Sequence, residues 1–260
     1  MITNIQKLIS SRDLIKMWTS RTIKGRYQQS YVGWLWAVIQ PIATVIIFTI
    51  LFTYFVPIDT GDTPYPVFSY VAVVPWTFLA SSLTDMTNSL IGNMNLITKI
   101  YFPREALPLA DMFARLLDFG VSATLLVLLI VYYQVPINPP GWLSLPIILI
   151  IQMALISGLG FTTSALSVFS RDIQPLLTLG LQLWFYASPI IYPVSVVPER
   201  FRTLYFLNPM AGILEAYRDV LIRGVLPGEY LIISAIESLL ILVIGYWFFK
   251  RVEPVFADII

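Results

Sequence analysis

Between Asp118 and Arg171 the chain carries no charged residue, and Tyr27 to Ile58 forms a second uncharged run. Few folds accommodate such stretches. As a helix, Trp34 to Val56 alone would be about 35 Å long, enough to cross a hydrocarbon core of about 30 Å. With 57% hydrophobic and only 12% charged residues, a water-soluble fold of this size could not bury its apolar surface. In lipid each backbone polar group must be satisfied internally, so the sequence predicts an all-α integral membrane protein.

The apolar segments divide into six expected spans. The first covers residues 34–56. The second, 67–91, runs past Asp85. The long uncharged run is punctuated by Pro136, Pro139, Pro140 and Gly141 and therefore reads as two spans, 114–133 and 143–169. Segments 173–197 and 230–249 complete the set, within a single unit covering 1–260. Lys and Arg fall mostly on one side: on the amino-terminal segment, at Lys99, Arg104, Arg115 and Arg171, and at Lys250 and Arg251. The opposite side receives Arg200, Arg202, Arg218 and Arg223. The positive-inside rule then places both termini in the cytoplasm. The polar, basic amino terminus lacks the short early apolar core of a cleaved signal peptide, so the first span is expected to stay in the mature protein.

Composition narrows the chemistry. Sixteen basic and fifteen acidic residues give a net charge of +1, which argues against a polyanionic partner such as nucleic acid. The absence of Cys and His removes thiol chemistry, disulfides, imidazole metal ligands and the usual proton shuttle. No Gly is followed by Lys, so the phosphate-binding loop G-x-x-x-x-G-K-[ST] is missing, and any ATP used must be bound by another polypeptide.

Function must then reside in the spans or in three connecting pieces. The amino-terminal segment has Ile15, Trp18 and Ile23 at helical intervals, with Arg12, Lys16, Arg21 and Lys24 between them. It reads as an interfacial amphipathic helix, either a plain membrane anchor or also a cuff against a cytoplasmic partner. The inner loop NLITKIYFPREALP, Asn95 to Pro108, is either a set of apolar knobs for a partner's groove or a loop folded back on its own membrane face. The outer stretch Pro198 to Glu229 is expected to hold short helices dipping into the outer leaflet, with local pairing in Glu199-Arg200 and Arg218-Asp219. Within the spans, Asp85 and Glu237 are functional candidates or partners of a neighbouring Arg. Ser157, Gly158 and Gly160 suit close helix packing. Pro41, Pro75, Pro189 and Pro193 interrupt helices where protein or a wet cavity must satisfy the backbone. The many aromatic residues are explained by an interfacial belt or by a pathway on which sugar rings stack.

Five blocks carry a resemblance: RYQQSYVGWLWAVIQP (Arg26 to Pro41), YFPREALPL (Tyr101 to Leu109), Ser170-Arg171-Asp172, SPIIYP (Ser188 to Pro193) and LNPMAGILEAYR (Leu207 to Arg218). In this order, over nearly the whole chain, they resemble the membrane-spanning permease subunits of bacterial polysaccharide ABC exporters of the O-antigen and teichoic-acid type. Val32 stands where that family commonly has Leu, a conservative change. The resemblance implies a homodimer in the bacterial cytoplasmic (inner) membrane, served by two cytoplasmic ATPase subunits that carry ATP and magnesium. This chain would hold no cofactor. Its cargo would be a glycan on undecaprenyl diphosphate, with teichoic acid, capsular polysaccharide, or a small lipid or drug as alternatives on the same fold.

By similarity, coupling to the ATPase would fall to Leu96, Lys99, Ile100, Tyr101, Phe102, Arg104 and Glu105, with Arg171 and Asp172 as a second inner contact. Pathway or gate candidates are Tyr31, Trp34, Tyr54, Trp76, Asp85, Trp184, Tyr186, Pro189, Tyr192, Asn208, Glu215 and Arg218. A membrane enzyme acting on polyprenyl lipids is the rival from another class. It would need clustered carboxylates or a His, and Arg104-Glu105 and Arg171-Asp172 read as sparse, self-paired charges.

Overall fold

A computed structural model describes residues 12–28, 31–61, 63–99 and 102–256. Among these the regular structure is helical. Helix α1 is Arg12–Tyr27, α2 is Trp36–Ile50, extended by a π turn at Leu51–Phe55, and α3 is Tyr65–Ser89. A short α4, Met94–Ile97, leads to α5, Ala106–Tyr132. Then come α6, Pro139–Trp142, α7, Leu145–Phe169, and α8, Ile173–Ala187. The chain closes with α9, Glu199–Tyr205, α10, Pro209–Arg218 with a π turn at Asp219–Arg223, and α11, Tyr230–Val252. Among the described residues, five stretches are long and apolar enough to cross a membrane: Trp36–Phe55, Tyr65–Ser89, Ala106–Tyr132, Pro139–Phe169 and Tyr230–Val255.

The fifth apolar segment differs from its expected bounds. Helix α8 has 15 residues, about 22 Å at 1.5 Å per residue, and stops at Ala187 rather than running to 197. Ser188 is extended and Pro189 follows it, a residue that cannot donate to the preceding turn. Trp184 and Tyr186, expected at mid-span, therefore lie in the last turn of the helix. The third span also differs, beginning at Ala106 instead of 114, which adds Asp111 to the helix and places Arg115 and Asp118 about three turns from its start instead of in the first turn. The short outer helices appear where the proline and glycine breaks put them.

Helix α3 is the centre of the bundle and most of its residues are buried, with α5, α7, α2 and α10 around it. The most extensive packing pairs α7 with α11, and small residues explain it. A Cβ on Gly158 would lie 2.5 Å from the backbone of Ile241, and one on Gly245 would collide with the carbonyl oxygen of Gly158. Without side chains at these two positions the helix backbones approach directly, which gains dispersion contacts where lipid offers no hydrophobic drive. Gly160 makes the matching space for Met86 of α3. Gln152 of α7 ties the layers together, donating to the carbonyl of Pro75 at 2.7 Å and accepting from the Tyr217 hydroxyl at 3.0 Å.

Candidate functional site: a hinge and a clamp at opposite ends of the bundle

The interruption after α8 exposes backbone carbonyls that a continuous helix would have satisfied. In an apolar setting each unsatisfied group is costly, and here side chains from other elements reach in. Asn208 donates to Ser188 Oγ at 3.0 Å and to the Ala187 carbonyl at 3.5 Å. Arg218 Nη2 donates to the Ile190 carbonyl at 3.0 Å, and the Tyr65 hydroxyl to that of Ile191 at 2.9 Å. The Tyr192 hydroxyl bonds the Tyr186 carbonyl and lies 3.1 Å from that of Tyr205. Asn208 Oδ1 also caps α10 by accepting from the Met210 amide at 3.1 Å, and it takes the indole N–H of Trp184 at 2.7 Å. The sequence blocks SPIIYP and LNPMAGILEAYR thus form one device: the second supplies donors to the unwound backbone of the first.

Charge is buried beside this hinge. Arg218 is 1% exposed and its guanidinium lies 3.8 Å from the centre of the Phe68 ring. Glu215 is 3.7 Å from Arg218 and 2.5 Å from Arg223, which also reaches Asp219 at 2.6 Å. Pairing therefore runs along one helical face at i, i+3 and i, i+4, not between the sequence neighbours Arg218 and Asp219. Likewise Glu199 faces Arg202 at 3.8 Å rather than its neighbour Arg200. The loops at this end of the bundle border an open cavity of 620 Å³ whose wall includes Arg218, Arg223 and Gln134. Gln134 holds a left-handed φ of 55° that few side chains adopt.

At the other end of the bundle, Asp85 of α3 and Asp118 of α5 bind two arginines in alternation. Arg26 reaches Asp85 at 2.6 Å and Asp118 at 2.8 Å, and Arg115 reaches the same carboxylates at 2.6 and 3.2 Å. Tyr27 adds a hydroxyl bond to Asp118. Burial, followed by the adjoining Asp118 carboxylate, raises the Tyr27 pKa above its ordinary value, so the phenol remains a donor at neutral pH. Thr22 bonds Asp111 at 3.1 Å, which completes the seat of α1 on α5. Asp85 is therefore a clamp residue that fixes α1 to α3 and α5. The clamp borders a cavity of 420 Å³ that is also lined by Trp36, Gln40, Thr77 and Ser81.

The described apolar residues of the 95–108 loop fold back on their own chain. Ile97 is buried beside Trp18, Leu90 and Leu107, and Leu96 and Phe102 pack partly against that cluster. Glu105 is 1% exposed and pairs with Lys250 at 2.6 Å, and Lys250 also holds Glu253 at 2.9 Å. Arg104 bonds the Glu253 carbonyl and lies 5.9 Å from the Phe256 ring. Arg104 and Glu105 are thus not self-paired; they latch the loop to the end of α11. Phe256 in turn contacts Phe169, which brings the Arg171-Asp172 turn to the same end of the bundle. Lys99, Arg171 and Asp172 remain exposed. Ile100, Tyr101 and the side chain of Trp34 lie outside the described residues.

Of the other pathway candidates, Trp76 packs edge-on against Trp184 at 5.7 Å, and Pro189 marks the helix break. Tyr31 and Tyr54 are exposed and join neither the hinge nor the clamp. Glu237 keeps one buried carboxylate oxygen without a hydrogen-bond partner among the described residues. Sequence reasoning missed Arg26, Tyr27, Arg115 and Asp118 as a unit. The available signal was the Arg115-x-x-Asp118 spacing, which places opposite charges on one helical face.

Comparison with known proteins agrees with this architecture. The chain is 31% identical over 249 residues to the O-antigen export system permease protein RfbA of Klebsiella pneumoniae, covering 95% of each chain. It is 29% identical over 263 residues to the protein of the same name from Myxococcus xanthus, covering 99% of each. It is also 24% identical over 242 residues to the polysialic acid transport protein KpsM of Escherichia coli, covering 90% of this chain and 91% of that one. Residues 13–222 match the ABC-2 type transporter family, and on that match, which takes in the clamp, the hinge and the inner turns, the chain belongs to the ABC-2 type transporter family.

Proposed function

We propose that this chain is the transmembrane subunit of an ATP-driven exporter that moves an undecaprenyl-diphosphate-linked, O-antigen-like polysaccharide across the bacterial cytoplasmic membrane. The observation that carries the proposal is identity of about 30% with O-antigen export permeases over nearly the full length. The second reading, a capsular polysaccharide cargo, draws on the more distant similarity to the polysialic acid transport protein. A glycan has too many hydroxyls to enter hydrocarbon, so it needs a polar or aromatic corridor. Two copies would form it. Exposed faces of α2 and α8, with Tyr54 and Tyr186 among their residues, belong to helices that touch at the Phe48–Phe185 ring contact of 6.0 Å and suit that role.

ATP and magnesium would be bound by two cytoplasmic ATPase subunits docked on Lys99 and on the Arg171-Asp172 turn, with both termini of this chain on that side. Closure of the ATPases would press on the inner loop. The Glu105–Lys250–Glu253 latch would carry the displacement to α11 and the Arg26–Asp85–Arg115–Asp118 clamp would carry it to α1, α3 and α5. At the far end, the side-chain-held break after Ala187 can exchange its bonds without unfolding a continuous helix, which fits it to gate the exit.

The test is transport in proteoliposomes containing this chain and its ATPase. Flipping of diphospholipid-linked glycan is expected, with little movement of a small hydrophobic drug. Drug transport alone would overturn the cargo assignment, and turnover of a lipid-linked sugar by the isolated chain would revive the enzyme reading.

A further inference from the structure

Helix α1 does not lie flush on the bundle along its whole length. Between it and α5 runs an open groove of 770 Å³, within the range of about 300–1,000 Å³ usual for small-ligand sites. Its surface is almost entirely apolar, with Ile23 on one wall and Leu109 and Phe113 of α5 opposite, all only partly buried. Along the rim stand Arg12, Lys16 and Lys24, with Arg12 and Lys16 one helical turn apart.

Among the described residues these three cations are uncommitted. The other basic groups of α1 are engaged: Arg26 in the clamp, and Arg21 over the Trp18 ring at 4.6 Å. Arg12, Lys16 and Lys24 are exposed and have no ion-pair partner among the described residues. Asp13 is the one acidic residue of α1, and it does not line the groove.

An accessible apolar trough edged by unpaired cations complements one ligand chemistry, an acyl chain joined to an anionic headgroup. We propose that the groove between α1 and α5 is a binding site for an acidic phospholipid of the inner leaflet, its acyl chain on Leu109 and Phe113 and its phosphate at the cationic rim that Arg12, Lys16 and Lys24 spread along the groove. This is more specific than attraction of a basic helix to a charged surface, because it requires a seat for the chain as well as for the charge. Thr19 and Thr22 already tie α1 to Ala110 and Asp111. A lipid wedged beside them would hold α1 in the position from which Arg26 reaches the clamp.

Native mass spectrometry of the detergent-purified full-length chain tests the site, with phosphatidylglycerol and phosphatidylcholine of identical acyl chains as probes. The wild type is expected to retain phosphatidylglycerol preferentially. The double variant Lys16→Gln with Lys24→Gln removes two cations at about 1 kcal/mol each, at tenfold per 1.4 kcal/mol, and should lower that preference roughly 30-fold at low salt. Both lysines are exposed, so the fold should be kept, and an unchanged melting temperature checks this. Leu109→Trp, which fills the trough, should reduce retention of both lipids. Equal retention of the two lipids by the wild type, an unaltered preference in the double variant, or displacement of phosphatidylglycerol by soluble glycerol phosphate would overturn the proposal.

Discussion

Replacing Asp85 with Asn tests whether the clamp holds α1 on the bundle. Asp85 accepts from Arg26 Nη2 at 2.6 Å, Arg115 Nε at 2.6 Å and Arg115 Nη2 at 3.1 Å. An amide has the same shape but a single acceptor oxygen, and its NH₂ would face a guanidinium. Hydrogen bonds to charged groups contribute about 1.5–3 kcal/mol each. The side chains concerned are 20–24% exposed, which places the loss between that of an exposed pair, up to about 1 kcal/mol, and that of a buried pair broken on one side, about 3–5 kcal/mol. We expect about 2–3 kcal/mol, read as a shift in reversible denaturant unfolding in mixed micelles. Arg26→Gln severs part of the same network, so the double variant should cost less than the sum of the singles by about 1–2 kcal/mol. Because the natural chain has no Cys, a lone cysteine introduced on α1 for spin labelling reports directly whether the helix detaches. A cost below about 0.5 kcal/mol for Asp85→Asn, or strict additivity with Arg26→Gln, would refute the clamp.

Gly158→Leu should destabilise the α7–α11 contact by at least about 2 kcal/mol, since its Cβ already meets backbone, whereas Gly120→Ala, with nothing within 4 Å, should be neutral or slightly stabilising; the same unfolding assay ranks them. Lys250→Met leaves the Glu105 carboxylate buried without its partner and should cost about 3 kcal/mol, and Glu105→Gln in the same chain should restore part of the loss, as a thermal-shift comparison will show. Lys99→Glu with Arg171→Glu reverses charge at two exposed inner positions; insertion should be unchanged while glycan-stimulated ATP hydrolysis by the complex falls at least about tenfold.

Much of the architecture was legible because the bilayer imposes a strong length and charge rule. Uncharged runs marked the spans, and small residues at Gly158 and Gly160 marked the tight contact. Where the reading fell short, tertiary context was decisive. The amino-terminal turns of α5 are helical from Ala106 because Asp111, Arg115 and Asp118 find partners on α1 and α3, so Asp111, which lies before the expected span of 114–133, belongs inside the helix. The fifth helix stops at Ala187 because Asn208, Arg218 and Tyr65, all distant in sequence, satisfy the carbonyls that an early stop exposes. Hydropathy registers the apolar stretch to 197 and is blind to those donors. Glu105 is a coupling candidate by family resemblance, and in the fold the proximity of Lys250 turns it inward.

The most direct test of the account is ATP-dependent movement of lipid-linked glycan in proteoliposomes assembled with and without the ATPase subunit. The account predicts transport only when both the ATPase and ATP are present, with the isolated chain inactive. Sustained transport by this chain alone, or transport indifferent to nucleotide, would contradict it.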